Sequence, residues 1–250
     1  QIAEHVGGTE QHFVDMMNER AAQIGCTNTH FVNASGLPDP DHYSTAHDMA
    51  LIMREGLKNK KFRRIIGATD YTIKPTNMNS ESRVLHTHHP MLAPESSYHY
   101  DGCIGGKTGY TQAAGRCLVS CCERKGLRLI CVTLSAPDDW NDHIELYEWA
   151  FSQFSLRNAV EGQSFQVPVI SGTEKYAELV PSEEVELLLD GSQAISLQVE
   201  YPRFVFAPVN KGETGGTIWV IINGKTVGSC PLVYDRDVAL QLPEEETDSG

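Results

Sequence analysis

Gly105-Gly-Lys-Thr-Gly-Tyr-Thr111 is the run whose residue types and spacing point most directly to chemistry. A lysine followed by threonine and flanked by glycines offers a positive charge, a hydroxyl donor and backbone N–H groups that a ligand can approach closely. Two chemistries use such a set. One is a phosphate cradle, in which a glycine-rich loop opens a helix whose N-terminus holds the anion. It needs a glycine five positions before the second glycine, and Asp101 stands there. Ala113-Ala-Gly115 then leads into a strand pattern, so no helix N-terminus follows. Gly224-Lys225-Thr226 fails the same test with Trp219. The other chemistry is an extended strand lining a cleft, where backbone pairs with an extended peptide and the lysine faces an anionic group.

Other constellations carry less. His86, His88 and His89 are close in sequence, but strand alternation turns His86 and His88 one way and His89 the other, so they read as polar cleft or surface histidines rather than metal ligands. Asp39, Asp41 and His42 sit in a Pro-Asp turn with solvated charges. Asp138, Asp139, Asp142 and Glu145 place negative charge in the first turns of a helix. Lys58, Lys60, Lys61, Arg63 and Arg64 read as a solvated helix face. The seven cysteines, Cys26, Cys103, Cys117, Cys121, Cys122, Cys131 and Cys230, include no CxxC pair, and four fall in two apolar strands. They read as small buried residues, not as a disulfide framework or a thiolate metal site. No metal and no cofactor is expected.

The elements that must position the Lys107 run follow from periodicity. Ile2, Ala3 and Val6 before Gly7-Gly8 read as the end of a helix. A second helix runs from a Thr9 cap to Gly25, with Phe13, Met16, Met17, Ala21 and Ile24 on one stripe. Residues 33–42 form a loop, and Ser44 or Thr45 caps a helix with Ala46, Met49, Ala50, Met53 and Leu57 inward. Phe62, Ile65 and Ile66 suggest a short helix. Residues 116–122 and 127–134 flank Lys125-Gly126 as a hairpin, and Asp138 to Phe154 closes the unit as a helix. Beyond Phe154 the pattern is all strand, with runs at 165–170, 185–189, 195–199, 204–209, 217–222 and 231–234, and a tight hairpin at Asn223-Gly224. The tail 243–250, with Glu244, Glu245, Glu246 and Asp248, is too polar to order itself.

Composition narrows the partners. The net charge of −13 opposes phosphates, so nucleic acid is not an expected partner. No apolar run reaches membrane-spanning length.

Several of these segments together resemble one family. Phe31-Val-Asn-x-x-Gly-Leu37, His42-Tyr-Ser-Thr-Ala46 with Asp48, Phe62-Arg-Arg, Gly106-Lys-Thr-Gly-Tyr-Thr111 and Ala114-Gly115 resemble the D-Ala-D-Ala carboxypeptidase branch of the penicillin-binding and serine β-lactamase superfamily. The resemblance covers residues 1–154, and the all-β part looks like the C-terminal domain attached to many of these enzymes. It implies an α+β fold: a partial transpeptidase-like domain at 1–156, with an antiparallel sheet and helices, then a small all-β sandwich-like domain at 157–242 and an acidic tail at 243–250. It further implies a hydrolase that trims the terminal D-alanine of peptidoglycan stem peptides through an acyl-serine and binds β-lactams, outside the cytoplasm in the cell envelope. A membrane anchor beyond Gly250 is left open.

In that frame Lys107, Thr108, Gly109, Tyr110 and Thr111 are substrate-binding. Lys107 supplies charge near the nucleophile's own lysine, Thr108 and Thr111 donate hydroxyls to the substrate carboxylate, Gly109 clears the strand edge, and the Tyr110 N–H is one oxyanion-hole donor. The family's two other motifs are absent: no serine here has lysine three residues on or asparagine two residues on. The expectation is therefore a C-terminal portion, inactive alone, whose nucleophile lies on a missing N-terminal segment. Its absence would leave an apolar face open to that segment or to self-association. A non-catalytic wall-binding or scaffolding module and a serine β-lactamase relative are the alternatives.

Overall fold

The computed structural model describes residues 1–242, so the tail expected at 243–250 lies outside the described residues. Two compact units divide the chain, Gln1–Ser152 and Gln153–Gly250. The architecture is α+β, and among the described residues every helix begins in the first unit.

In the first unit, helix α1 (Ile2–Gly7) ends at Gly8, whose φ of 77° is the left-handed turn that glycine makes without strain. Helix α2 (Glu10–Gln23) starts where the side chain of Thr9 accepts the His12 N–H at 3.1 Å. Helix α3 (Ala46–Gly56) starts the same way: Thr45, not Ser44, accepts the Asp48 N–H at 3.1 Å. Helix α4 (Lys60–Ile66) is capped by Asn59. Each cap satisfies donors that the first helical turn leaves unpaired.

Asp48 is buried and accepts from Asn28 N at 2.8 Å and Thr29 Oγ1 at 2.7 Å, which ties the segment after α2 to the start of α3. The Thr29 hydroxyl bond is the main reason its carboxyl sits below the usual range. The cationic run is only partly a free surface: Lys58 pairs with Glu55 at 2.7 Å, and Arg63 donates to the Leu57 carbonyl at 2.6 Å.

Strands β1 (Asp70–Ile73) and β2 (Arg83–His86) form a small antiparallel ribbon. The main sheet of this unit has three antiparallel strands in the order β3 (Cys103–Thr111), β4 (Gly115–Arg124), β5 (Leu127–Thr133). Lys125 and Gly126 turn β4 into β5 with φ of 49° and 81°, the left-handed pair a two-residue hairpin requires. Helix α5 (Asp139–Gln153) follows.

β4 is buried on both faces. Val119 and Cys121 pack with Met53 of α3 and with Leu57 at its C-terminal end, while Cys122 packs with Met91, Tyr100, Cys131 and, from α5, Tyr147. The sheet is therefore a layer between α3 and α4 on one side and α5 on the other, and β3 is one of its two edge strands.

The second unit is all β. Strands β7 (Phe165–Ile170), β8 (Tyr176–Pro181), β10 (Ile195–Glu200), β11 (Val205–Phe206), β12 (Thr214–Ile222) and β13 (Lys225–Tyr234) make a six-stranded sheet in the order β10-β12-β13-β8-β7-β11. Strands β6 (Ser155–Asn158) and β9 (Glu186–Leu189) pair apart from it. Val167, Leu179, Ile218, Val220 and Leu232 form the closed core. The strand expected at 204–209 shrinks to Val205–Phe206, because Pro208 has no N–H to continue a ladder. The run expected at 231–234 is the end of a longer strand that starts at Lys225, directly after the Asn223-Gly224 turn, and β12 begins three residues before the expected Thr217. Its early glycines allow close approach: a Cβ on Gly216 would lie 2.5 Å from the Glu200 carbonyl oxygen.

Candidate functional site

β3 pairs with β4 on one side, and among the described residues its other edge has no strand partner. Pairing sets its faces: Lys107 lies opposite Val119 and Gly109 opposite Cys117, while Thr108 lies opposite Leu118 and Tyr110 opposite Arg116. A cleft of about 750 Å³ runs along this strand, lined by Lys107, Thr108, Gly109 and Tyr110 together with His88, Pro90, Arg116, Asp139 and Trp140. The Lys107 ammonium is exposed and donates to the Thr108 carbonyl at 2.6 Å. Tyr110 is exposed as well. Thr111 sits where the strand turns, outside the lining residues. Its hydroxyl oxygen accepts the Ala114 N–H at 2.9 Å, which leaves its own proton available to donate.

Arg116 and Trp140 belong to this site, and sequence reading did not single them out. The Arg116 guanidinium donates to the buried Asp139 carboxylate at 2.6 Å and lies 5.7 Å from the Trp140 ring centroid. Asp139 thus does more than favour a helix dipole: it clamps a cation at the cleft wall. The contact spans 23 residues, so no local pattern announces it.

The histidine cluster separates. His86 pairs with Asp70 at 2.5 Å on the exposed ribbon, and His88 lines the cleft. His89 corrects the expectation of a cleft or surface residue: it is buried, packed 5.3 Å from the Trp140 ring, with neither ring nitrogen hydrogen-bonded. Burial brings its pKa down to about 4, so it is neutral. It closes the space over Gly106, where an added Cβ would collide with His89 Nε2 and stand 2.6 Å from the Val119 carbonyl oxygen. Gly106→Ala is expected to destabilise the first unit by about 3 kcal/mol, since neither neighbour can yield. Urea unfolding of the variant measures it, and an unchanged midpoint would mean that His89 moves freely.

Beneath the sheet, Ser120 Oγ is 2.7 Å from His143 Nδ1 and 2.9 Å from the Tyr147 hydroxyl, and His143 Nε2 meets Thr133 Oγ1 at 3.1 Å. A serine beside a histidine suggests a nucleophile and its base. Both side chains are fully buried, and the network is saturated within itself, so it holds α5 against β4 and β5 instead. Burial lowers the His143 pKa to about 4.

Residues 1–138 match the family model of D-alanyl-D-alanine carboxypeptidase. The chain belongs to that family. Residues 155–240 match the C-terminal domain of penicillin-binding protein 5. Among curated relatives, D-alanyl-D-alanine carboxypeptidase DacF of Bacillus subtilis (strain 168) is 28 % identical over 245 residues, covering 95 % of this chain and 61 % of the relative. DacB2 of Mycobacterium tuberculosis is 33 % identical over 160 residues, covering 59 % of this chain and 51 % of the relative. Among solved structures, penicillin-binding protein 5 from Haemophilus influenzae superposes with a TM-score of 0.60 at 26 % identity, over 95 % of this chain and 69 % of that one. The chain spans about three fifths of the length of the full-coverage relatives, 61 % and 59 % for the first two. As expected from the Lys-Thr-Gly context, this is a low-molecular-mass penicillin-binding protein of the transpeptidase-like superfamily.

Proposed function

We propose that these residues supply the substrate-binding strand of a serine-type D-Ala-D-Ala carboxypeptidase acting on peptidoglycan stem peptides outside the cytoplasm. The observation that carries this reading is the free edge of β3, which runs through a cleft with Lys107, Thr108, Gly109 and Tyr110 along it.

An extended peptide ending in D-Ala-D-Ala would add to that edge by backbone hydrogen bonds, as peptides do on exposed sheet edges. Gly109 leaves the edge without a side chain, and Lys107 provides positive charge toward the reacting end. The substrate carboxylate would find Thr108 and Thr111 hydroxyls, with the clamped Arg116 as a further cation. The Tyr110 N–H would donate to the oxyanion as the serine attacks, and such donors contribute most when fixed in advance. β-Lactams would bind as mimics of the same peptide.

No serine among the 250 residues has lysine three positions on, so in this reading the acyl-accepting serine and its lysine come from polypeptide other than these residues. An apolar groove of about 410 Å³ between α2 and α3, lined by Phe13, Met16, Met17, Ala21, Ile24, Phe31 and Ile52, is the surface where that polypeptide would seat.

Fluorescent penicillin followed by denaturing electrophoresis and peptide mapping tests the reading. The polypeptide carrying both a Ser-x-x-Lys segment and these residues is expected to be labelled on that serine, and the 250 residues alone are expected to remain unlabelled. A complete, folded polypeptide that takes no label would favour a non-catalytic wall-binding module.

A further inference from the structure

Cys103 and Cys122 face each other directly across the β3–β4 ladder. The bonding pattern defines the kind of pair. Glu123 N donates to Gly102 O at 2.7 Å, whereas Cys103 N donates to Tyr100 O at 3.0 Å, so the two cysteines form a non-hydrogen-bonded antiparallel pair. Such pairs bring their Cα atoms to about 4.5 Å, inside the range a disulfide spans. Both side chains point to the α5 face, where each belongs to the cluster of Met91, Tyr100 and Tyr147.

The other thiols are worse placed. Cys121 points to the opposite face, with Val119 and Met53. Cys131 shares the α5 face but lies opposite Ser120, two positions from Leu129, which faces Cys122. That diagonal separates Cβ atoms by about 7 Å, too far for a bond without backbone movement.

We propose that Cys103 and Cys122 are a redox-active cross-strand pair that closes to a disulfide by exchange with a low-molecular-mass disulfide, stapling the root of the Lys107 strand to β4. Cys103 is the partly exposed member and Cys122 is fully buried, so the oxidant meets Cys103 first. The hydrogen bond between the two thiols holds the Cys103 pKa below the ordinary value and the Cys122 pKa above it, which assigns the thiolate to Cys103.

The Cys103 thiolate attacks one sulfur of the oxidant, forms a mixed disulfide and expels one thiolate. The Cys122 sulfur then attacks the Cys103 sulfur, and its proton leaves with the second thiolate, which departs as a thiol. Two protein thiols are oxidised to one disulfide, and one external disulfide is reduced to two thiols. The bond falls immediately before the irregularity at Gly105, where the β3–β4 register shifts and φ is 147°. Because a one-residue slip would turn every later side chain to the other face, the staple would fix the phase of Lys107 itself.

The test equilibrates the folded chain with oxidised and reduced glutathione, blocks remaining thiols by alkylation and maps non-reduced tryptic peptides. The expected result is a peptide ending at Lys107 joined to the peptide 117–124 through Cys103 and Cys122, absent in Cys103→Ser and in Cys122→Ala and retained in Cys131→Ser. The oxidised chain should also unfold at a higher temperature than the reduced one. Seven free thiols at equilibrium, a stable glutathione adduct on Cys103, or a bond between any other two cysteines would each overturn the assignment.

Discussion

Lys107→Ala is expected to leave the fold intact and to slow penicillin acylation of the complete site by about 100- to 1000-fold, the scale on which a preorganised electrostatic group acts in acyl transfer. The side chain is exposed and its recorded bond is to the neighbouring Thr108 carbonyl, so its removal should change stability by no more than about 0.5 kcal/mol. Lys107→Arg should recover part of the rate, since it restores charge but not the compact ammonium. The measurement is the second-order rate of covalent labelling, with circular dichroism as the check on folding. A folded Lys107→Ala protein that acylates at the parent rate would remove the β3 edge from the catalytic reading and favour a structural role for the motif.

The second large effect is on stability against acid. His89 and His143 are held neutral by burial, each with a pKa of about 4 against 6.5 in a solvated histidine. Between those values the unfolded chain binds protons that the folded chain refuses, so stability rises with pH across the window. It is fully present above about 6.5 and is lost progressively as pH falls toward 4. Each histidine accounts for about 3 kcal/mol over that interval. The groups facing them do not cancel the effect: Asp139 attracts both protons, but desolvation dominates, and each charged histidine would repel the other. Urea midpoints from pH 7 to pH 4.5 should therefore fall steeply, and His89→Gln should flatten the slope by removing one of the two groups. A midpoint independent of pH across this range would show that neither histidine is buried as described.

How much of this was legible in the sequence depended on how local the determining physics is. Turns and caps were legible because their chemistry is confined to a few residues. Lys125-Gly126 was assigned as a turn from the apolar strand runs that flank it and Asn223-Gly224 from its tolerance of left-handed backbone, and both pairs adopt that conformation. Thr9 was assigned as a cap from its oxygen and position, and Thr45 was one of two candidates that only the structure separates. The strand Tyr176–Pro181 was missed because its buried residues include only Ala177 and Leu179, interleaved with Glu178, so its apolar alternation is faint.

The cleft was half legible. Lys107 to Tyr110 lie in one strand and declare themselves by motif, whereas Arg116, Asp139 and Trp140 meet only after a hairpin and a helix have folded back. The burial of His89 was not legible either. It depends on Gly106 leaving a space above the sheet and on the Trp140 ring closing it, two facts recorded far apart in the chain.

The edge of β3, which has no strand partner among the described residues and which a peptide substrate would use, is also a hazard to the protein that carries it. A bare row of N–H and C=O groups will accept any extended chain, including another copy of itself, and so seeds fibrous aggregates. Three features already described act as guards. Lys107 sets a charge on the edge, the irregularity at Gly105 breaks its regular pleat, and a net charge of −13 makes copies repel one another. Raising salt to screen that repulsion should therefore shorten the time before such a preparation clouds, long before the native fold is at risk.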